Sequence, residues 1–490
     1  MTAHNDQARL SSGTYWTALT LAALTVITRW PLRTQFLYNW DAANFALGVR
    51  HYDVTLHQPH PPGYPYFVAL GSLFTLFSGD PNAGLQAAAV LLECVAVAAL
   101  LLLGTRMFSF RAGLAAALLL LGSVTFWTYG EVALAYPALA AFSTLTALFA
   151  FETIFQKRNR AVACALAYTL GTGFRPDLAL FLLPLLLACC YRRPRGTVMI
   201  TLAVGFGGVA AWLAPAALLS GGLDKYWAVF TAYASVDVIE RYVPTSTGLA
   251  GLAVNLRDTA QYTFYALYAE ALVVGAGALL WLRPRPTTQE WRVLLFLGGW
   301  VAPMAAFYTL AHVGDPGYVF SVLPSVLLLG VGGVWRWLRT RDEYIHGLAA
   351  CALTLVLLAN TLIFFVHDRP LTLPGLRASD RAAGARLNYL RSFGPDEVMV
   401  LSYDSFKLFR FYLPDQPHSV WLDTSTLRRQ VIPVPSGVRW VVLTDPSVFG
   451  LSMGLRAEAI FLPGNAWAAQ LPVQPGQSLV YENRRLRLEG

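Results

Sequence analysis

Apolar runs of about twenty residues recur along this chain, separated by short polar turns. That is the length of helix needed to cross the hydrocarbon core of a bilayer. Within lipid, only a helix or a closed barrel satisfies its own backbone hydrogen bonds. The runs lie near 15–31, 82–104, 112–128, 133–154, 161–173, 177–191, 197–219, 259–282, 292–311, 318–338 and 345–366. Composition agrees: 56% of residues are hydrophobic and only 13% are charged, where a soluble chain carries about a quarter charged. The expected fold class is an all-α polytopic membrane protein. The first run follows a polar stretch, 1–14, and shows no small-residue cleavage site, so it is read as a retained span. Cys94, Cys164, Cys189, Cys190 and Cys351 lie in or at the ends of apolar runs, which implies no disulfide framework.

The net charge of +8 is carried mainly by arginine. These arginines crowd into alternate turns, which is a topology signal and not the footprint of a nucleic-acid partner. One set of turns holds Arg106 and Arg111; Lys157, Arg158 and Arg160; Arg192, Arg193 and Arg195; Arg283, Arg285 and Arg292; Arg336, Arg339 and Arg341. The opposite set holds only Arg175, Lys225, Arg241 and Arg257. Basic turns stay cytoplasmic. The sorting works if 61–79, which opens with "HPPGYP" and ends at "SGD", does not cross. It is then an amphipathic helix in the outer interface. About eleven spans result, with the N-terminus (1–14) inside and 32–80 as a first outer loop with juxtamembrane helices. The membrane domain covers 15–373.

From Pro374 the pattern changes. "DRAAGARLNYLRSF" reads as an amphipathic helix, and "EVMVLSY", "HSVWL", "RWVVLTD" and "SLVYENRRLRL" read as short strands. A small C-terminal α/β domain over 374–490 is expected, on the outer side.

Polar groups converge on that outer side, where a charge at the membrane boundary must be hydrated, paired or used. Asp41 follows Tyr38 and Trp40, and either caps a short helix or serves chemistry. Asp53, His57 and His60 are metal-ligand types, but their spacing matches no closed site; neither a metal nor another cofactor is expected. Glu131 and Tyr136 lie in "TYGEVALAYP". Arg175 and Asp177 lie in "GFRPD": either a surface pair of little worth, or a phosphate-binding guanidinium. "HVGDPGYVF" supplies His312, Asp315 and Tyr318, and the 220–258 loop adds Lys225, Asp237, Glu240, Arg241 and Arg257. Tyr226, Trp227, Tyr233 and Tyr242 there read as an interface belt or a sugar-stacking wall.

Taken in order, these motifs resemble the GT-C superfamily of membrane glycosyltransferases. The likeness is greatest to the branch containing protein O-mannosyltransferases and lipid A aminoarabinose transferases. Asp41 matches the acidic residue after the family's first span, although Ala42 stands where a second acidic residue is common. "HPPGYP" from His60 matches its HPP-type motif. "RMFSFRAGLAAALLLLGSVTFWTYGEVALAYP" is similar to its basic turn, next span and acidic outer turn. "GYVFSVLPSVLLL" is similar to its late Tyr-containing span.

The resemblance implies an inverting transfer of a hexose or pentose from a polyprenyl-phosphate donor to a hydroxyl-bearing acceptor. It implies that Asp41 takes the acceptor proton. His57, His60, Tyr64, Glu131, Arg175, Arg257 and Tyr318 are then candidates for binding the substrate or the lipid phosphate. The partners are the donor, the acceptor and the bilayer. Arginine-rich, lysine-poor usage points to a GC-rich bacterium and hence to an inner-membrane enzyme with a periplasmic site. A transporter or flippase of lipid-linked glycans is the alternative, although transporters often show internal repeats and none is visible here.

Overall fold

A backbone amide inside lipid has no water to bond, and the apolar runs close on themselves as helices. The computed structural model describes residues 10–235, 243–282, 284–424 and 429–489. They group into two units. One holds the chain up to Arg33 together with Gly48–Leu373; the other holds Thr34–Leu47 and Pro374–Gly490.

The first unit is helical. It contains α1 (Ser12–Arg29), the end of α2 (Trp40–Arg50), α3 (Pro65–Ser78), α4 (Pro81–Met107), α5 (Phe110–Gly122), α6 (Val124–Tyr129), α7 (Pro137–Phe155) and α8 (Ala161–Phe174). Then come α9 (Leu178–Phe181), α10 (Leu183–Cys190), α11 (Arg195–Leu219), α12 (Leu223–Tyr233), α13 (Pro244–Leu267), α14 (Ala271–Leu282), α15 (Thr288–Leu310), α16 (Leu323–Leu338) and α17 (Glu343–Val366). Among the described residues, six helices are long and apolar enough to cross a membrane: Pro81–Met107, Pro137–Phe155, Arg195–Leu219, Thr245–Leu282, Thr288–Leu310 and Glu343–Val366. Shorter apolar helices cover Pro65–Ser78, Phe110–Gly122, Ala161–Phe174, Leu178–Cys190 and Leu323–Leu338. The chain is a multi-pass membrane protein.

Several expected spans are not single helices. The run 112–128 breaks at Ser123, 177–191 breaks at Leu182, and α13 gives way to α14 through a 3-10 turn at Tyr268–Glu270. The 220–258 stretch is not a plain loop, since it holds α12 and the start of α13. Asp237, Glu240, Arg241, Tyr242 and Arg283 lie outside the described residues.

Breaking a helix in an apolar interior strands polar backbone groups, which must find partners. One side chain supplies most of them. Asn360 Nδ2 donates to the carbonyls of Gly122 (3.3 Å) and Leu267 (3.1 Å) and to Glu270 Oε1 (3.0 Å). Its Oδ1 accepts from the Ala269 amide at 2.9 Å, and Ser123 Oγ donates to the Ala266 carbonyl at 2.7 Å. A second staple joins α1 to α4 and α5. The Arg29 guanidinium donates to Glu93 Oε2 at 3.0 Å and to the Leu121 carbonyl at 2.6 Å, and lies 4.4 Å from the centre of the Trp127 ring. Arg29 and Glu93 are fully buried.

The second unit is α/β. Pro374–Gly490 contributes α18 (Leu373–Arg391), α19 (Phe406–Tyr412) and α20 (Ser452–Leu455), with strands β1 (Val398–Ser402), β2 (Ser419–Trp421), β3 (Gln430–Pro433), β4 (Trp440–Leu443), β5 (Glu458–Leu462), β6 (Ala466–Pro472), β7 (Ser478–Glu482) and β8 (Arg485–Glu489). One sheet runs β2-β1-β4-β6-β5 and another β3-β7-β8. β1 lies parallel to both β2 and β4, so its residues are flanked on both edges and read as a continuous apolar run. Met399, Leu401, Val441, Leu443, Leu479 and Tyr481 fill the core between the sheets.

Candidate active site

The loop after α2 is built to hold side chains still. Asp53 accepts from the Thr55 amide (2.8 Å) and hydroxyl (2.7 Å), so its carboxylate caps a short 3-10 turn at Val54–Leu56. The Val54 amide donates to Ser220 Oγ at 3.0 Å, and Tyr226 Oη donates to the Pro62 carbonyl at 2.7 Å. Val54 and Tyr226 pack with Ala216 and Ala217. The loop is thereby fixed to α11 and α12. Gly63 has φ +109°, and a Cβ there would meet Tyr52 Oη at 2.5 Å, so only glycine fits. Tyr64 follows at φ +45°, a left-handed conformation costing a bulky residue of order 1 kcal/mol.

That conformation directs the Tyr64 ring at Arg175. Arg175 ends α8, where its buried guanidinium is boxed by three rings: Tyr64 at 5.3 Å, Tyr136 at 4.5 Å and Tyr318 at 5.0 Å from ring centre to the guanidinium carbon. Asp177 grips one edge, with Nη2–Oδ2 at 2.8 Å and Nε–Oδ1 at 3.3 Å. Burial favours loss of the proton, but Asp177, Tyr64, Tyr318 and Tyr136 together more than offset it and hold the guanidinium charged well above its ordinary range. The Arg175–Asp177 pair therefore exists, but in the interior and not on the surface.

Around this cation the polar groups form a chain. His60 Nε2 lies 3.2 Å from Tyr64 Oη, with the two rings 4.9 Å apart. Tyr233 packs on both His57 (6.2 Å) and His60 (6.3 Å). Burial raises the Tyr64 hydroxyl pKa well above the usual phenol range. On the far side, Tyr308 Oη donates to the Tyr318 carbonyl at 2.7 Å, and His312 stacks edge-on against Tyr318 at 5.7 Å. Burial, and then the Arg175 charge, lower His312 to about 4. Asp315 caps the Pro316–Ser321 turn through the Gly317 amide at 2.9 Å and accepts from Tyr129 Oη.

The structure thus brings together His57, His60, Tyr64, Arg175 and Tyr318, on loops that meet at one end of the helices. The start of α3 sits at this end. Tyr66 packs on Phe174 at 5.9 Å, and the Gln86 amide, early in α4, donates to the Glu131 carbonyl at 3.2 Å. Glu131 itself is fully buried in that turn and is not a hydrated loop carboxylate. Arg257 does not join the group; it is exposed and pairs with Asp258 at 2.7 Å. Asp41 lies in the first turn of α2, within the second unit's segment. The cap of that helix is Asn39, whose Oδ1 accepts from the Ala42 amide at 3.0 Å. Tyr308 was not legible as a site residue, since it sits inside an ordinary apolar run; Tyr129 lies in the "TYGEVALAYP" turn, where Glu131 and Tyr136 drew the reading instead. Among the described residues, no group of three or more His, Cys, Asp or Glu gathers as a metal-ligand set.

Residues 59–219 match the family model for dolichyl-phosphate-mannose-protein mannosyltransferase. That segment carries His60, Tyr64, Glu131, Tyr136, Arg175 and Asp177. No curated protein matches the sequence. The crystal structure of ArnT from Cupriavidus metallidurans in the apo state superposes with a TM-score of 0.58 at 14% identity, covering 94% of this chain and 98% of that one. This is the GT-C fold. The same ArnT bound to undecaprenyl phosphate gives a TM-score of 0.57 at 13% identity, over 93% of this chain and 97% of that one. The GT-C likeness therefore extends over both units, well beyond the family-model segment.

Proposed function

We propose that this chain is an inverting glycosyltransferase that takes its sugar from a polyprenyl phosphate. The observation that carries the reading is the buried guanidinium of Arg175, set among Tyr64, Tyr136 and Tyr318. It lies in the segment that matches the mannosyltransferase family, on a fold shared with an ArnT crystallised with undecaprenyl phosphate. An acceptor hydroxyl attacks the anomeric carbon, the bond to the lipid phosphate breaks, and configuration inverts. Charge returns to the phosphate as it leaves. Arg175 supplies a permanent cation there, and His60 a hydrogen bond relayed by Tyr64. Asp41 accepts the proton from the attacking hydroxyl. The reaction takes place on the outer face of a bacterial inner membrane. The sugar is a hexose or pentose, and the acceptor is a protein, glycan or lipid.

The test uses purified protein in nanodiscs with undecaprenyl phosphate carrying a radiolabelled hexose or pentose and cell-envelope acceptors. Label should pass to an acceptor as undecaprenyl phosphate is released, and Asp41→Asn should abolish transfer while the protein stays folded and inserted. In vesicles, movement of the lipid-linked sugar across the bilayer with no transfer would overturn the reading in favour of a flippase.

A further inference from the structure

The segment that carries Asp41 has no regular secondary structure before α2, and its backbone donors need partners of some kind. Their partners are remote in sequence. The Gln35 amide lies 3.0 Å from both Asp380 carboxylate oxygens, and the Phe36 amide lies 3.0 Å from Oδ1. The next amide, Leu37, donates to Tyr412 Oη at 3.0 Å. Three consecutive donors are thus taken by two side chains of the α/β unit, both within the same unit as the segment itself.

Packing follows the same line. One turn beyond Asp380 on the same face of α18 stands Gly384, and a Cβ there would lie 3.1 Å from the Phe36 ring. Phe36 also meets Tyr412 edge-on at 5.6 Å. At the first residue of α2, the Trp40 ring lies 5.9 Å from Lys407 Nζ on α19. Asp41 is the next residue. Asp380 is buried, and a buried carboxylate is tolerated where amides bond to it. Asp380 also has Arg377 at 3.5 Å.

We infer that the C-terminal α/β unit is a clamp that sets the position of Asp41, with Asp380 and Tyr412 as its positioning residues. The inference rests on the proposed proton-accepting role of Asp41. It gives the α/β unit a part in turnover without a ligand of its own.

Two variants keep the packing and weaken or remove the hydrogen bonds. Asp380→Asn weakens acceptance from Gln35 and Phe36, and Tyr412→Phe keeps the ring but loses the acceptor for Leu37. In the full chain in nanodiscs, amide hydrogen exchange over residues 35–37 should quicken roughly tenfold in each variant, the scale of one lost hydrogen bond. With undecaprenyl phosphate carrying a radiolabelled sugar, kcat should fall about tenfold or more while KM for that donor holds. Asp380→Glu should recover part of both. Unchanged exchange, or fast exchange with wild-type kcat, overturns the clamp. Full transfer by Asp41→Asn would instead overturn the role given to Asp41, and the exchange rates would still decide whether the α/β unit holds the segment.

Discussion

A guanidinium taken out of water costs several kcal/mol unless charge and hydrogen bonds surround it. Arg175 has both a carboxylate partner and three aromatic faces, and ring contacts of this kind reach about 2 kcal/mol when desolvated. Lysine keeps the charge but loses the planar fork. Arg175→Lys should therefore lower kcat/KM by roughly a hundredfold to a thousandfold, the range seen when one transition-state charge partner is removed; steady-state transfer assays check it. Asp177 holds the same edge that a phosphate prefers. Asp177→Asn keeps a hydrogen-bonding side chain and removes the competing charge, so undecaprenyl phosphate should bind about threefold to tenfold tighter by calorimetry, a gain of ~0.7–1.4 kcal/mol.

His312 yields a pH prediction. Its folded pKa, about 4, lies below its ordinary 6.5. The unfolded chain binds the proton more readily in that window. Stability is then whole above about pH 6.5 and is lost as pH falls toward 4. Melting temperature should drop across that range in wild type and less in His312→Phe. The sequence placed these residues at helix ends, because polar motifs interrupt apolar runs there. It did not reveal that Arg175 is buried, since a spacing of two residues gives proximity to Asp177 and says nothing of depth.

Among the elements, the long spans were readable because length and apolarity suffice to define them. The breaks at Ser123 and Tyr268–Glu270 were not, because the side chain that satisfies them, Asn360, is remote in sequence and sits in an unremarkable apolar run. The Arg29–Glu93 pair escaped notice for the same reason. Removing one partner of a buried pair leaves an uncompensated charge. Glu93→Gln should destabilise the protein by about 3–5 kcal/mol, while joint replacement of Arg29 and Glu93 by apolar residues should restore much of it. Thermal melts in detergent distinguish the two outcomes. In the α/β unit, β1, β2, β4 and the β7–β8 hairpin fall inside stretches with clear strand patterns. β3, β5 and β6 do not, being short or rich in alanine and exposed positions.

For the whole molecule, the arginine bias gives a topology that chemistry can check. A cysteine introduced at position 70, on α3, should react with a membrane-impermeant maleimide added from outside intact cells, whereas one at position 340 should not. Reaction from the cytoplasmic side alone at position 70 would reverse the assigned orientation.

The hydrogen bonds that hold Gln35 and Phe36 also order events during synthesis. Their acceptor is separated from them by 345 and 344 residues. A ribosome has therefore delivered every helix of the first unit before Asp380 exists. A nascent chain halted short of α18 has a complete membrane bundle and an unheld Asp41 segment. Such an intermediate would be inserted but inert, and activity would switch on only once the α/β unit has been made.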